Sequence, residues 1–282
     1  MAVSNLVVDD TATDAAAMSS GSSFYLAMRI LPAAQRDAMY QVYAFCRAVD
    51  DIADSERPRA ERAAALEAWR ADIDACYAGT PRASLAALTR HIHTFGLKRE
   101  DFHAMIDGMA MDAAADICAP DEATLDLYCD RVASAAGRLS VRIFGMEEEP
   151  GRQLAHHLGR ALQLTNILRD IDEDAAIHRC YLPRELLARE GIAVSSPAAI
   201  ADDPSLPRVC MTLAERAKEH FAAADAIMDT APRAQVKAPR IMSGVYRCLL
   251  DRTLDRGFDI PRTRVRKPRA RLLWIVARYA LF

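Results

Sequence analysis

Apolar residues along the chain recur at spacings of three and four. In LEAWRADIDACY (66–77) and LAERAKEHFAAADAIM (213–228) they form one stripe of a 3.6-residue turn, the pattern of amphipathic helices. Breakers separate the periodic runs: RPRAE after Asp54, GTPR at 79–82, APDE at 119–122, EEPG at 148–151, SSP and DDPSLP around 195–207, and TAPR at 230–233. No alternating run of strand period lies between them. The pattern predicts an all-α chain of about eight to ten helices joined by short loops, packed as a single-domain helical bundle. That domain spans 21–282, behind a frayed leader over 1–20.

Two stretches set carboxylates among apolar neighbours. In YAFCRAVDDIAD (43–54), Tyr43, Arg47, Asp50 and Asp54 fall within about 60° of one another on a helix, while Asp51 points roughly 100° away from Asp50. In LQLTNILRDIDED (162–174), Gln163, Asn166, Asp170 and Asp174 fall within about 80°, with Asp172 on the far side. An acidic stripe is most often a solvated face. Here the flanking residues are Val42, Phe45, Val49, Leu164, Ile167 and Leu168, which suit a buried helix. Like charges one turn apart cost about 0.2–0.5 kcal/mol per pair, and more when desolvated, so a counter-charge is called for. Mg²⁺ prefers carboxylate oxygens and is commonly completed by substrate phosphates. Arg47 and Arg169, beside the stripes, suit the same phosphates. Two facing aspartate ladders with arginines imply a diphosphate clamp; the alternative is a metal site that serves structure alone.

Composition narrows the class. With 51% hydrophobic residues over 282 positions the chain can bury a sizeable core, and a net charge of −3 argues against a nucleic-acid partner. Seven cysteines without CxxC spacing read as reduced thiols of a cytoplasmic protein. The first 28 residues hold no Lys or Arg, so the basic start of a secretory signal is missing. The strongest apolar run near the C-terminus, LLWIVA, is far short of the roughly 20 residues of a membrane span. The segment 262–282, basic and then apolar, reads either as a solvated charge run or as a peripheral membrane contact. None of the seven histidines has a metal-binding spacing; His156 and His157, being adjacent, point to different faces and read as surface. No Gly-rich phosphate loop, dinucleotide fingerprint or Ser/His/Asp signature is present.

The two acidic stretches, read as YAFCRAVDDIAD and LQLTNILRDIDEDAAIHRCYLP, closely resemble the aspartate-rich signatures of the squalene and phytoene synthase family, the head-to-head prenyl transferases. SSFYLAMRILP, MIDGMAMD and YCDRVASAAG follow in the family's order, so the resemblance covers roughly residues 20 to 270. It implies the isoprenoid synthase fold, one helical bundle around a deep apolar cavity with the aspartate segments facing each other at its mouth. It further implies that Asp50, Asp54, Asp170 and Asp174 bind Mg²⁺, or Mn²⁺ in its place, against substrate diphosphates. Asn166 would join the metal ligands, and Ser23, Tyr43, Arg47, Gln163, Asn166 and Arg169 would contact diphosphate or orient those ligands. Tyr128 and Tyr181 match tyrosines of the reaction centre. Two departures are Gly21, where some relatives carry a second serine, and Phe258, where some carry a cavity tyrosine.

Within the family the sequence looks most like the bacterial branch on the hopanoid and squalene route. That branch joins two farnesyl diphosphates into presqualene diphosphate, a cyclopropylcarbinyl diphosphate, without NADPH, and hands it to downstream squalene-forming enzymes. A phytoene or dehydrosqualene synthase, a full NADPH-dependent squalene synthase, and a non-catalytic scaffold relative stand as alternatives. Of the scaffold, the four intact ladder aspartates are uncharacteristic, since a binding-only protein gains nothing from unneutralised like charges.

Overall fold

The computed structural model describes residues 27–265 together with 274, 275 and 278; Ser23, the leader 1–20 and most of the tail lie outside the described residues. The helices are α1 (Ala33–Ala53), α2 (Arg59–Tyr77), α3 (Ala86–Phe95), α4 (Arg99–Ala114), α5 (Glu122–Cys129) and α6 (Ala135–Ile143). They continue with α7 (Glu148–Arg169), α8 (Ile171–Ala176), α9 (Arg184–Arg189), α10 (Pro197–Ala201), α11 (Leu206–Thr230) and α12 (Arg233–Arg256). These exceed the expected number because of three short helices: α8, split from the second acidic helix, α9, and α10, which lies in the stretch around 195–207 read as a breaker. Their length, five or six residues, is too short for a periodic signal.

The apolar stripes do what their spacing predicts. On α11 Leu213, Ala214, Ala217, Phe221, Ala224 and Met228 are buried, and on α2 Leu66, Ile73 and Cys76. An aromatic cluster ties α1, α2 and α4: Phe45 meets Phe102 edge-on at 5.0 Å between ring centroids and Trp69 at 5.5 Å. Helix α7 is the axis of the bundle, packed by α6, α11 and α12. EEPG does not break the chain: α7 starts at Glu148 and accommodates Pro150 in its first turn, where no intrahelical N–H is needed, and the stop falls earlier, at Gly145 with φ +76°. All seven cysteines are free.

Between α5 and α6 the helix widens into one π turn, Asp130–Ser134. The widened turn presses on α7 where Gly159 stands: a Cβ there would lie 2.6 Å from Ser134 Oγ and 2.8 Å from its backbone nitrogen. Glycine is therefore required for this approach. The packing brings Val132 and Ala133 to the wall of an internal cavity, the use to which π turns are often put.

Candidate active site

The cavity has a volume of about 320 Å³ and lies between α1, α4, α6, α7 and α12, with the π turn forming part of its wall. Its wall is mainly apolar and includes Met39, Val42, Phe144, Leu158, Leu162 and Met242. Of the run 105–111, Met105 reaches the wall. Tyr43, Arg47 and Asp50 from α1 and Gln163, Asn166 and Tyr246 from α7 and α12 line the same cavity, so polar groups from both acidic stretches meet over one apolar space.

On α1 the expected ladder is present, but Arg47 is shared. Its Nη1 donates to Asp50 at 3.3 Å and its Nη2 reaches Asp51 at 2.8 Å, because a long guanidinium spans the angle that separates the two carboxylates. Asp50 is pushed up to about 6 by burial first and then by Asp54, against the opposing pull of Arg47.

The second ladder is not one helix. Helix α7 ends at Arg169, and Asp170, with φ −102° and ψ +19°, caps it and opens α8. The expectation of a continuous face from Gln163 to Asp174 is thus corrected: the backbone steps at Asp170, although Asp174 N still donates to Asp170 O at 2.8 Å. Arg169 grips its neighbour Asp170 with Nε at 2.6 Å and with Nη2. Asp174 is pushed up to about 7 by burial and by Asp170, with Arg179 opposing. Asp172 does face away, paired with Arg262 at 2.6 Å.

Three further residues complete the site, and none stands out as a motif. Arg179 is buried and donates from Nη1 to Asp54 Oδ1 at 2.8 Å, placing a cation between the ends of the two stretches. Asp112 on α4 is only 4% exposed and accepts from Tyr128 Oη at 2.9 Å and Tyr181 Oη at 2.7 Å. Those rings stack at 4.8 Å. Neither tyrosine is among the cavity-lining residues; Tyr181 lines a separate small hollow with Asp174 and Arg179. Burial beside Asp112 pushes both hydroxyls up, so they remain protonated donors. Asp112 in turn is raised by burial and repels both Asp50 and Asp174, which places it between them electrostatically. The third is Tyr246, buried and hydrogen-bonded to Asn166. The signals were present in MIDGMAMD and RCYLP, yet a lone Asp or Arg near an apolar run carries no periodicity that marks it.

The donor set fits a hard cation. Asn166 lines the cavity and its Oδ1 is buried without a hydrogen-bond partner, so its amide nitrogen serves Tyr246 while its oxygen is left unpaired. An orphaned oxygen on the same cavity as Asp50, whose carboxyl is held above its ordinary range by burial and then by Asp54, is an arrangement that oxygen-seeking Mg²⁺ suits.

Phe258 is buried beneath Arg256, 5.7 Å from its guanidinium carbon to the ring centroid, and does not line the cavity. Of the tail, Arg262 is committed to Asp172 rather than to solvent, Ile275 packs near Gly244 of α12, and Trp274 is exposed. No helix among the described residues is long and apolar enough to cross a membrane.

Known proteins share this architecture and sequence. The squalene/phytoene synthase family model matches residues 17–271. The presqualene diphosphate synthase of Rhodopseudomonas palustris is 62% identical over 93% of this chain and 94% of its own length. That of Zymomonas mobilis is 54% identical over 95% and 94%. In structure, the squalene synthase HpnC of Alicyclobacillus acidocaldarius superposes with a TM-score of 0.80 at 26% identity, covering 89% of this chain and 94% of that one. With an all-α bundle, a cavity beneath two aspartate stretches and this similarity along nearly the whole chain, the protein belongs to the squalene/phytoene synthase family.

Proposed function

We propose that the protein condenses two farnesyl diphosphates head to head into presqualene diphosphate with release of one diphosphate, using Mg²⁺. The observation that carries this reading is the cavity itself: an apolar space lined at its polar side by Asp50, Arg47, Gln163 and Asn166 matches a molecule with a diphosphate head and a hydrocarbon tail. The printed name of two relatives, presqualene diphosphate synthase, supports a product that keeps one diphosphate, and with it the choice of farnesyl chains.

In this reading Asp50, Asp54, Asn166, Asp170 and Asp174 hold the metal, and Arg47, Gln163 and Arg169 orient diphosphate oxygens. Bound there, Mg²⁺ neutralises the charge of the departing diphosphate. The C1–O bond of one substrate breaks heterolytically, its electron pair leaving with the diphosphate. The allylic cation is attacked by the C2–C3 double bond of the second substrate, and loss of one proton closes the cyclopropane. Tyr128 and Tyr181, kept protonated, steady charge near the mouth rather than accept that proton, which goes to the released diphosphate. Leu158, Leu162 and Phe144 keep water from the cation. Contact of the tail with a membrane surface, with Trp274 exposed, belongs to the same proposal because substrate and product are lipid-like.

The test is the purified protein with farnesyl diphosphate and Mg²⁺, with and without NADPH, followed by dephosphorylation and product identification. Presqualene alcohol in both reactions supports the reading. Squalene that appears only with NADPH makes the protein a full squalene synthase, and turnover of geranylgeranyl diphosphate alone makes it a phytoene synthase.

The raised carboxyls set a pH window. Asp50 and Asp174 titrate at about 6 and about 7, above the 3.8 of a free aspartate, so the metal-free folded chain keeps protons that the unfolded chain has lost. Their contribution to stability therefore falls as pH rises from about 4 to about 7. Metal entry requires those protons to leave. The thermal shift produced by Mg²⁺ with pyrophosphate is expected to be small near pH 5.5 and to grow as pH rises through about 6 to 7. A shift that is flat with pH would remove these two carboxyls from the metal's ligands.

A further inference from the structure

Helix α7 has a second polar face. Ala155, Gly159, Gln163 and Asn166 turn toward the cavity, and His156, His157 and Arg160 project on average about 110° away from them. Opposite stands His220 of α11: the reading of His157 as a plain surface residue is corrected, since it and His220 are half-buried where the two helices pack, while His156 beside them is exposed. His157 Nδ1 and His220 Nδ1 are 3.0 Å apart. The rings of His156 and His157 meet edge-on at 4.8 Å, and one ring nitrogen from each of the three histidines lies within 4.8 Å of the others.

Facing Nδ1 atoms satisfy one another only when one carries a proton and the other does not. The charged neighbours do not block a cation. Arg160 is committed to Asp126, with Nε at 2.6 Å and Nη2 at 2.8 Å, and its Nη1 lies 3.1 Å from Ser134 Oγ. Asp126 and Asp130 add negative charge near the rings. Burial and Arg160 push all three imidazoles down, His220 to about 4, so they are neutral near pH 7, the form that ligates metal.

We propose that His156, His157 and His220 form a second metal site, selective for a borderline divalent ion such as Zn²⁺, that staples α7 to α11 on the side away from the cavity. Imidazole donors favour Zn²⁺, Ni²⁺ and Cu²⁺, whereas Mg²⁺ takes oxygen, so the site is chemically separate from the carboxylate mouth. Zinc–nitrogen bonds of about 2.0–2.1 Å set tetrahedral ligand atoms about 3.4 Å apart. The 3.0 Å pair is nearly in place, and a third nitrogen within 4.8 Å must close by at most about 1.4 Å, a movement that side-chain torsions supply.

The experiment strips the full-length protein with a chelator and titrates Zn²⁺ by calorimetry in millimolar Mg²⁺. One equivalent is expected to bind with micromolar or tighter affinity and to raise the melting temperature. His157→Gln and His220→Gln, made separately so that either folded variant reads the site, are expected to weaken uptake by about tenfold or more. Co²⁺ in place of zinc should give ligand-field bands without a thiolate charge-transfer band. Absence of stoichiometric uptake, unchanged uptake in both variants, or a thiolate band would overturn the proposal, the last by placing the metal on cysteine.

Discussion

Asp50→Asn and Asp170→Asn are expected to fold as the parent chain does and to lose turnover of farnesyl diphosphate by at least about 10³-fold. Asparagine keeps the volume of aspartate but removes the anionic oxygen that the metal and the diphosphate require. The two substitutions should separate in stability. Asp50 is held above its ordinary range by burial and by Asp54, so its removal relieves repulsion, and the metal-free variant should be at least as stable as the parent at neutral pH. Asp170 is gripped by Arg169, and its loss leaves that half-buried guanidinium with one acceptor fewer, a cost of about 1–2 kcal/mol. Single-turnover assays beside thermal melts check both halves. Parent-like rates in either variant would remove the carboxylate clamp from the mechanism.

Asp112→Ala should be the most destabilising substitution at the site. It leaves two buried hydroxyls, Tyr128 and Tyr181, without their acceptor and takes a neutralising charge from Arg179. Breaking a buried network of this kind by removing one partner costs about 3–5 kcal/mol. For a chain of this size that is a fall of roughly 5–15 °C in melting temperature. Asp112→Asn keeps one acceptor oxygen and should recover about half the loss. The same two variants should lower kcat, because the stacked tyrosines and Arg179, which holds Asp54, lose their shared anchor. Equal melting temperatures for the parent and Asp112→Ala would show that the tyrosines find other partners.

Elements with long periodic stripes were legible before any coordinates. The burial of Leu213, Phe221 and Met228 on α11, and of Leu66 and Ile73 on α2, follows from 3.6-residue spacing alone. So did the grouping of Tyr43, Arg47 and Asp50, because all three sit on one uninterrupted helix whose geometry is fixed by local hydrogen bonds. The step at Asp170 was not legible. Whether a helix continues or caps at an aspartate depends on what its side chain can reach, and Asp170 reaches Arg169 and accepts at its own carbonyl from Asp174.

By itself, then, the amino-acid order determined the helical class, the faces that become core, and which carboxylates are paired within a turn. These are consequences of spacing within single segments. Only the tertiary structure decided the partners across segments: Arg179 beside Asp54, 125 residues apart; Asp112 under Tyr181, 69 apart; and His157 against His220, 63 apart. Such contacts are set by how α1, α4, α7, α11 and the loop after α8 pack, and local periodicity carries no record of which distant residue a buried polar group will find.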